Sequence, residues 1–319
     1  MDRRSFIALG GVIAVAGTST AHAHELPYPH EHLPDGTIIP IGQLITRRIP
    51  STGENIPAIG LGTSGPFEVG ADESARAPLR DVLNAFFVAG ATLIDTSPMY
   101  STAESVLGEL LTPEQQAKAF VATKVWTPSS GKAAAQKGIE QMQRSMTLLD
   151  HPRIDLMQVH NLVDVDAHLK TLRRLKAEDR IRYIGVTHYT TASYPDLIAI
   201  IEREKLDFVQ FNYSVVTRAA ERKLLPLCAD KGVAVIINRA FEDGDLFRKV
   251  QDKPLPPWAG DFGARSWAQL FLKFVLSHPA VTCVIPATGK TRNLVDNLGG
   301  AIGKLPDGKQ RAQIAAAVA

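Results

Sequence analysis

The sequence is poor in three features, and each scarcity excludes a class of protein. Only 2 cysteines occur among its 319 residues. Cys228 falls in a predicted helix and Cys283 in a predicted strand, so no disulfide is expected to stabilise the fold. The 35 basic and 33 acidic residues leave a formal net charge of +2, which argues against the concentrated basic face of a nucleic-acid-binding protein. No G-x-G-x-x-G follows an early strand, which argues against a dinucleotide-binding open sheet.

The first residues have the layout of an export signal. Paired arginines at positions 3 and 4 precede an apolar stretch over 6–17, and an Ala-His-Ala run at 21–23 supplies a cleavage site. The apolar stretch is shorter than the ~20 residues of a membrane span, and Arg-Arg-x-Phe-Ile resembles the twin-arginine export motif. We therefore expect residues 1–23 to be a signal peptide that the twin-arginine export machinery reads. The mature protein is then periplasmic, without stable membrane insertion. An uncleaved membrane anchor is the alternative.

Residues 24–42 are expected to form a poorly ordered, solvated tether. Four histidines, at positions 22, 24, 30 and 32, lie around the predicted cleavage site among prolines. Because their spacing fits no closed zinc site, no metal is predicted here.

Residues 43–319 are predicted to form a (β/α)8 TIM barrel with an N-terminal β-hairpin and a C-terminal helix. Two short strand-like runs flank a turn-rich link at 51–55, and together these segments predict the hairpin. From Ala75 onwards short apolar runs alternate with amphipathic ones, as in a parallel sheet covered by helices. The predicted helices are 75–89, 102–111, 133–149, 167–177, 191–204, 218–231 and 266–276, with a last one after 305. The predicted strands are one near 59, then 92–94, 120–123, 156–159, 181–186, 208–210, 233–237 and 282–285. Eight strands suggest a closed barrel, with a doubly wound open sheet as the alternative.

Polar residues at three successive strand ends indicate an active site. Asp95 ends a buried strand and Tyr100 follows five residues later, in a loop that would line the catalytic face of a barrel. Lys124 lies inside an otherwise apolar strand, where a lysine is costly unless a carboxylate partners it; Asp95 is available. His160 ends the next apolar strand. Each of these residues alone has an ordinary structural explanation, but together they form a much sharper pattern.

Asp95, Tyr100, Lys124 and His160, in this chain order, resemble the catalytic tetrad of the aldo/keto reductase family. The resemblance runs from about residue 45 to 305. It implies reversible hydride transfer between NADPH and a carbonyl, with Tyr100 donating a proton to the carbonyl oxygen. Lys124 would lower the phenol's pKa, Asp95 would hold Lys124 charged, and His160 would orient the carbonyl. Trp126 and Trp258 are the expected substrate-binding residues.

The resemblance also implies an NADP cofactor, with NADPH preferred over NADH because of two cations near the end of the last strand. The expected cofactor-binding residues are Gly62, Thr63, Thr187, His188, Gln210, Asn238, Arg239, Thr288, Lys290, Arg292 and Asn297. An adenosine phosphate would lie at a helix N-terminus near Lys290 and Arg292.

Two positions depart from the family pattern. His188 stands where the family has an amide that holds the nicotinamide carboxamide. Asn238 stands where it usually has a tyrosine that stacks on the nicotinamide, so the ring is expected to be positioned differently, with Phe241 as a candidate. The family's usual adenosine-phosphate arginine falls on Asn293, which weakens the predicted preference for NADPH.

Two other functions compete with carbonyl reduction. A cofactor-bound sensor or partner-binding subunit, like the family's potassium-channel β subunits, fits an exported protein because the periplasm has no obvious NADPH supply. A metal-dependent barrel hydrolase would need several ligands at strand ends, where only His160 and His188 present themselves. The complete tetrad favours the reductase, since a buried Lys–Asp pair is expensive to keep without a use.

Overall fold

The computed structural model describes residues 30–32 and 36–319. The predicted signal peptide lies outside these residues, as does part of the predicted tether. In the described part of the tether, β1 (His30–His32) pairs antiparallel with β2 (Ile38–Pro40). Strand β2 contacts two helices of the barrel wall. A second antiparallel pair, β3 (Thr46–Arg48) and β4 (Asn55–Pro57), forms the predicted hairpin.

The rest of the chain forms an eight-stranded parallel sheet whose strands lie in sequence order. The strands are β5 (Leu61–Gly62), β6 (Leu93–Asp95), β7 (Phe120–Val125), β8 (Ile154–His160), β9 (Ile181–Thr187), β10 (Phe208–Asn212), β11 (Ala234–Asn238) and β12 (Cys283–Val284). Parallel bridges from Ile59 to Val284 and from Gly62 to Ala287 join the first strand to the last. A side chain at Gly62 would place its Cβ 2.8 Å from the carbonyl oxygen of Ile285, so this closure needs a glycine. The predicted (β/α)8 barrel is confirmed.

Helices cover the outside of the barrel. They are α1 (Glu73–Val88), α2 (Ala103–Leu110), α3 (Pro113–Lys118), α4 (Gly131–Leu148), α5 (Val165–Ala177), α6 (Tyr194–Arg203), α7 (Leu224–Lys231), α8 (Asp245–Val250), α9 (Trp267–Leu276), α10 (Thr291–Gly299) and α11 (Gly308–Val318). Within residues 30–32 and 36–319, no helix is both long and apolar enough to cross a membrane.

The α6 and α7 helices begin well inside their predicted ranges, and proline explains both. The segments predicted as 191–204 and 218–231 start with 3-10 turns, and the α-helices begin at Tyr194 and Leu224. Pro195 and Pro226 lie in the first turns of these helices. Proline has no N–H to donate and clashes with the preceding turn, so an α-helix tolerates it only near its start.

The barrel interior changes from apolar to polar along the strands. Because side chains alternate along a strand, every second residue points inwards. Near the hairpin the interior is a buried apolar cluster of Ile49, Ile56, Leu93, Phe120, Ala122, Leu156, Tyr183, Phe208, Ala234, Ile236, Cys283 and Ile285. At the carboxyl ends of six strands the interior is polar, with Asp95, Lys124, Gln158, Thr187, Gln210 and Asn238. The hairpin therefore closes one end of the barrel, and the polar layer lies at the other.

Candidate active site

A buried ion pair occupies the centre of the polar layer. Lys124 Nζ donates to Asp95 Oδ1 at 2.6 Å and to the carbonyl oxygen of Thr96 at 2.7 Å. Burial acts to lower the pKa of the Lys124 ammonium, but the Asp95 carboxylate and the Tyr100 hydroxyl together outweigh it, so this pKa lies above its ordinary value. Lys124 is therefore charged at neutral pH, as the sequence predicts for a lysine in this strand.

The other oxygen of Asp95 is held by side-chain amides. Gln210 Nε2 donates to Asp95 Oδ2 at 2.8 Å, and Gln158 Nε2 lies 3.4 Å from the same oxygen. Both amides are almost fully buried. The carboxylate thus has donors on three strands, β7, β8 and β10, which fixes its plane within the barrel.

Tyr100 lies beside this pair in the loop between β6 and α2. Its backbone N–H donates to the carbonyl oxygen of Ser97 at 3.0 Å, and the centre of its ring lies 5.0 Å from Lys124 Nζ. Burial raises the pKa of the Tyr100 phenol, while the positive charge of Lys124 acts to lower it. The phenol is consequently protonated at neutral pH, and Lys124 opposes the loss of acidity that burial causes.

His160 faces the same space from the end of β8. Its ring is edge-on to the Tyr100 ring, with 6.1 Å between centroids, and its Nδ1 lies 3.2 Å from Ser97 Oγ. Burial, together with the charge of Lys124, lowers the pKa of His160 to about 3. The imidazole is therefore neutral over the physiological range and can donate from one ring nitrogen.

These side chains border a cleft of about 690 Å³ at the carboxyl ends of the strands. Its lining residues are Gly62, Thr63, Ser64, Pro66, Asp95, Met99, Tyr100, His160, Asn161, Thr187, His188, Tyr189, Gln210, Asn238, Arg239, Ala240, Phe241, Asp243, Gly244, Phe247, Ile285, Pro286 and Ala287. Seven of the predicted cofactor-binding residues are in this lining, from Gly62 to Arg239. No group of three or more His, Cys, Asp or Glu side chains that could hold a metal ion occurs among the described residues.

The ends of β9, β10 and β11 form a hydrogen-bonded cluster in the cleft. Thr187 Oγ1 donates to Gln210 Oε1 at 2.8 Å, and Asn238 Nδ2 lies 3.4 Å from the same oxygen and 3.2 Å from the carbonyl oxygen of His188. His188 Nδ1 accepts from the backbone N–H of Tyr189 at 2.9 Å and of Thr190 at 3.2 Å. Because Nδ1 accepts, the neutral ring carries its proton on Nε2.

The loop after β11 forms one wall of the cleft. Arg239, Glu242 and Asp243 have φ angles of 51°, 51° and 53°, a left-handed conformation that non-glycine residues adopt at a cost. The Arg239 guanidinium pairs with Asp243 and lies over the Tyr189 ring, 5.7 Å from its centroid. Phe241 lines the cleft, as the sequence suggests, and packs on Phe247 with 4.9 Å between ring centroids.

Four predicted cofactor residues lie just past the cleft. Thr288 is buried and its Oγ1 accepts from the backbone N–H of Lys290 at 3.2 Å, at the N-cap of α10. Lys290 and Arg292 are exposed at this helix N-terminus, whereas Asn297 is buried on the helix. The cleft residues 285–287 run directly into this segment along the chain.

The two predicted substrate residues lie elsewhere. Trp126 directly follows β7, and its backbone N–H donates to Gln141 Oε1 at 2.8 Å. Trp258 lies in a 3-10 turn and packs near Phe262, with 6.2 Å between ring centroids. Neither tryptophan is among the residues that line the cleft.

Several residues of the site are not predicted by the sequence patterns described above. Gln158 could have been found from strand periodicity, because it precedes His160 by two positions and so shares its inward face. Ser97 and Asn161 adjoin predicted site residues in the chain. Nothing in the sequence around Tyr189 or Asp243 predicts a place in the site, because only the folding of their loops brings them into the lining.

The cleft has unused acceptors that suit an amide-bearing ligand. Asn161 Oδ1 and Asn238 Oδ1 are buried and accept no hydrogen bond, although buried polar atoms are nearly always paired. Donors are also present, at His188 Nε2 and in the Arg239 guanidinium. Acceptors, donors and a cation along one cleft match the carboxamide and pyrophosphate of a nicotinamide dinucleotide, so the residues fit such a cofactor.

Comparison with known proteins gives a consistent picture. A sequence model of the aldo/keto reductase family matches residues 58–317. The chain is 28% identical over 235 residues to the methylglyoxal reductase YeaE of Escherichia coli (strain K12), covering 72% of this chain and 80% of that protein. It is also 28% identical over 180 residues to an NADH-specific methylglyoxal reductase of the same organism, covering 49% of this chain and 54% of the relative.

Solved structures share the fold. The holo form of the aldo-keto reductase AKR11C1 from Bacillus halodurans superposes with a TM-score of 0.69 at 21% identity, covering 86% of this chain and 96% of that one. An aldo-keto reductase from Klebsiella pneumoniae in complex with NADPH gives 0.66 at 23% identity, covering 86% of this chain and 94% of that one.

The depressed pKa of His160 predicts how stability depends on pH. The unfolded chain binds a proton at this histidine below its ordinary pKa of about 6.5, whereas the folded protein does not until about pH 3. The free energy of unfolding should therefore fall as the pH drops below 6.5, by about 2 kcal/mol at pH 5 from this residue alone. Urea unfolding of wild type and His160→Gln at pH 7.5 and pH 5 measures the effect. The variant should lose about 2 kcal/mol less between the two pH values, and equal losses would contradict the assignment.

Proposed function

Because this chain belongs to the aldo/keto reductase family, we propose that it reduces a small aldehyde or ketone with NADPH and that Tyr100 is the general acid. The observation that carries the proposal is the position of the Tyr100 phenol. It lies between a buried ammonium–carboxylate pair and a neutral imidazole, in the lining of a cleft that suits a dinucleotide. Each side chain then has a distinct task in proton transfer to a carbonyl oxygen.

Tyr100 supplies the proton. A buried phenol is a poor acid, and the Lys124 charge beside it stabilises the phenolate that forms when the proton leaves. Asp95 keeps Lys124 charged and fixes its Nζ at 2.6 Å. The negative charge of the carbonyl oxygen is thus neutralised without any movement of the charged side chains.

His160 orients the carbonyl oxygen. Ser97 Oγ accepts from the backbone N–H of Met99 at 3.1 Å, so its own proton can go to His160 Nδ1 at 3.2 Å. This arrangement favours a proton on Nε2, which then donates to the substrate oxygen. A neutral donor leaves Tyr100 as the acid, because an imidazole with a pKa of about 3 gives up its second proton long before neutral pH.

When bound, NADPH supplies the hydride. His188 Nε2 would donate to the carboxamide oxygen in place of the family's amide, and the unpaired Asn238 Oδ1 would accept from the carboxamide nitrogen. Arg239 would hold the pyrophosphate after exchanging its partner Asp243 for the ligand. Lys290 and Arg292, at the N-terminus of α10, would hold the 2′-phosphate.

The relatives suggest the size of the substrate. Both E. coli proteins are methylglyoxal reductases by name, so we propose a small 2-oxoaldehyde as the substrate in the cleft that Tyr100 and His160 line. Met99, Tyr189 and Phe247 are exposed at the cleft. These apolar side chains would shield the reacting carbonyl from water once a substrate is bound.

Replacing Tyr100 by Phe tests the general acid. The variant keeps the ring and its packing but has no proton to donate, so the rate of carbonyl reduction should fall by ~10²–10⁴. NADPH affinity should stay nearly unchanged. Stopped-flow reduction of methylglyoxal and fluorescence titration with NADPH measure the two quantities. Turnover within about threefold of wild type would remove Tyr100 from the mechanism.

Tyr183→Phe is a matched control for loss of a buried phenol. Tyr183 bonds Thr52 and Glu54 at the hairpin end of the barrel, remote from the cleft, so its loss should leave turnover intact. A wild-type protein that binds NADPH yet turns over no carbonyl compound would instead favour the sensor or partner-binding subunit.

The cofactor preference depends on Lys290 and Arg292. Replacing both by Ala should weaken NADPH binding by about 10-fold to 100-fold and leave NADH binding largely unchanged, because only NADPH carries a 2′-phosphate. Fluorescence titration with each nucleotide measures this. Lys231→Ala with Arg222→Ala removes two exposed cations from the region of α7 and serves as the control. Equal losses for both nucleotides in the first variant would contradict the preference, which one NADH-specific relative does not share.

The proposal extends to location: the chain crosses the membrane folded, with its nucleotide already bound, and acts in the periplasm. Its support is the paired arginines and the Ala-His-Ala run in the sequence. A dinucleotide stabilises the barrel that binds it, so loading in the cytoplasm is favoured before export. Replacing Arg3 and Arg4 by Lys should strand active precursor in the cytoplasm. A signal for unfolded export should deliver periplasmic protein with little nucleotide, and equal nucleotide content under the two signals would overturn the loading argument.

A further inference from the structure

The orientation of the Gln210 amide is fixed by its neighbours. An ionised carboxylate only accepts hydrogen bonds, so the nitrogen of this amide must face Asp95, at 2.8 Å. The amide oxygen then faces β9 and β11, where it accepts from Thr187 Oγ1 at 2.8 Å and lies 3.4 Å from Asn238 Nδ2. Gln210 therefore connects the side chains expected to hold the nicotinamide with the carboxylate that holds Lys124.

Gln210 has little capacity left for a ligand. Both lone pairs of its oxygen have a donor within reach, and one of its two N–H groups is used by Asp95. Its side chain is only 2% exposed. One N–H is all that it can offer to a cofactor, although the resemblance to the family implies a role in cofactor binding alone.

We propose that Gln210 is a positioning residue for the acid: it orients Asp95 towards Lys124 and transmits the state of the Thr187–Asn238 pocket to Tyr100. This inference rests on the proposed role of Tyr100. The connection runs through side chains from Asn238 to Gln210, Asp95 and Lys124, across strands β11, β10, β6 and β7. Each of these side chains points into the barrel, so the connection follows from the strand order and does not depend on loop conformation.

The charged and titratable groups that face Tyr100 determine whether loss of the Gln210 amide favours or disfavours the phenolate. Tyr100 is faced by Lys124 on β7, Asp95 on β6, His160 on β8 and Glu68 in the loop after β5. Asp95 is also close to the buried Cys283 thiol on β12. The Gln210 N–H presents the positive end of its dipole to Asp95. Removing it makes the potential at Tyr100 more negative, which disfavours the phenolate.

Gln210→Met tests the inference, because methionine keeps the length of the side chain without its hydrogen bonds. We expect kcat for carbonyl reduction to fall about tenfold and the alkaline limb of its pH profile to move up by about one unit. NADPH affinity should stay within about threefold of wild type, since one N–H at most is lost to the cofactor.

Gln210→Glu gives a second, independent signature. A carboxyl so close to Asp95 should share a proton with it, since two such groups cannot both ionise freely. The protonated form donates to Asp95 as the amide does, so activity should approach that of wild type at low pH. As the pH rises and this proton is lost, activity should fall in a limb that wild type does not have. This variant also keeps the test valid if Gln210→Met fails to fold.

Gln158→Met removes a longer hydrogen bond to Asp95 and serves as a comparison for Gln210→Met. Gln158 points its amide at the same oxygen of Asp95, but at 3.4 Å instead of 2.8 Å. Its loss should therefore move the alkaline limb of the kcat profile by less than the loss of Gln210 does. Titration of Tyr100 by ultraviolet difference spectroscopy, as wild type minus Tyr100→Phe, measures the phenol without turnover. It therefore separates this inference from the proposed function: absence of turnover in wild type defeats the function, and the titration still tests Gln210.

One outcome would overturn the inference. In that outcome Gln210→Met weakens NADPH binding by as much as it slows turnover, the titration of Tyr100 does not move, and Gln210→Glu shows no additional limb. Gln210 would then be a cofactor ligand without influence on the acid.

Discussion

The polar end of this barrel depends on one constraint, the buried contact between Lys124 and Asp95. Leaving one member of such a pair without the other costs about 3–5 kcal/mol, because an uncompensated charge is then buried. The surrounding side chains reduce that cost. Donors from β7, β8 and β10 meet the Asp95 carboxylate, and a backbone carbonyl accepts from Lys124. The polar layer is thus a consequence of one charge pair, and the Tyr100 phenol lies where that layer reaches the cleft.

Sequence reasoning succeeds where chemistry and periodicity coincide. A lysine inside the apolar strand Phe120–Val125 needs a carboxylate, and Asp95 ends the neighbouring strand, so their contact could be predicted. The eight strands follow from the alternation of apolar and amphipathic runs. The helices α6 and α7 begin later than hydrophobic periodicity predicts, because an α-helix accepts Pro195 and Pro226 only in its first turn. The tautomer of His188 could not be predicted from the sequence, because it depends on two backbone N–H groups whose direction only the folded loop defines.

The departures from the family pattern cluster on one side of the cleft. The end of β9 has a histidine in place of an amide, and the end of β11 has Asn238 in place of an aromatic ring. The loop that follows β11 holds three non-glycine residues in the left-handed conformation. The proposed proton-transfer groups lie instead on β6, β7 and β8 and in the loop after β6, and they resemble the family's tetrad. Under the proposed function, the differences from the family pattern therefore lie on the surface that would recognise the nucleotide.

The hairpin β3–β4 also has a kinetic consequence. Ile49 and Ile56 pack with the apolar side chains that fill the barrel below the polar layer, so in the described part of the chain the barrel is closed at the hairpin end and the cleft is reached from the opposite end. Two molecules that react there must arrive and depart through the same opening. Whichever lies deeper has to enter first and leave last. The order of exchange is therefore imposed by the shape of the barrel as well as by the affinities of its ligands.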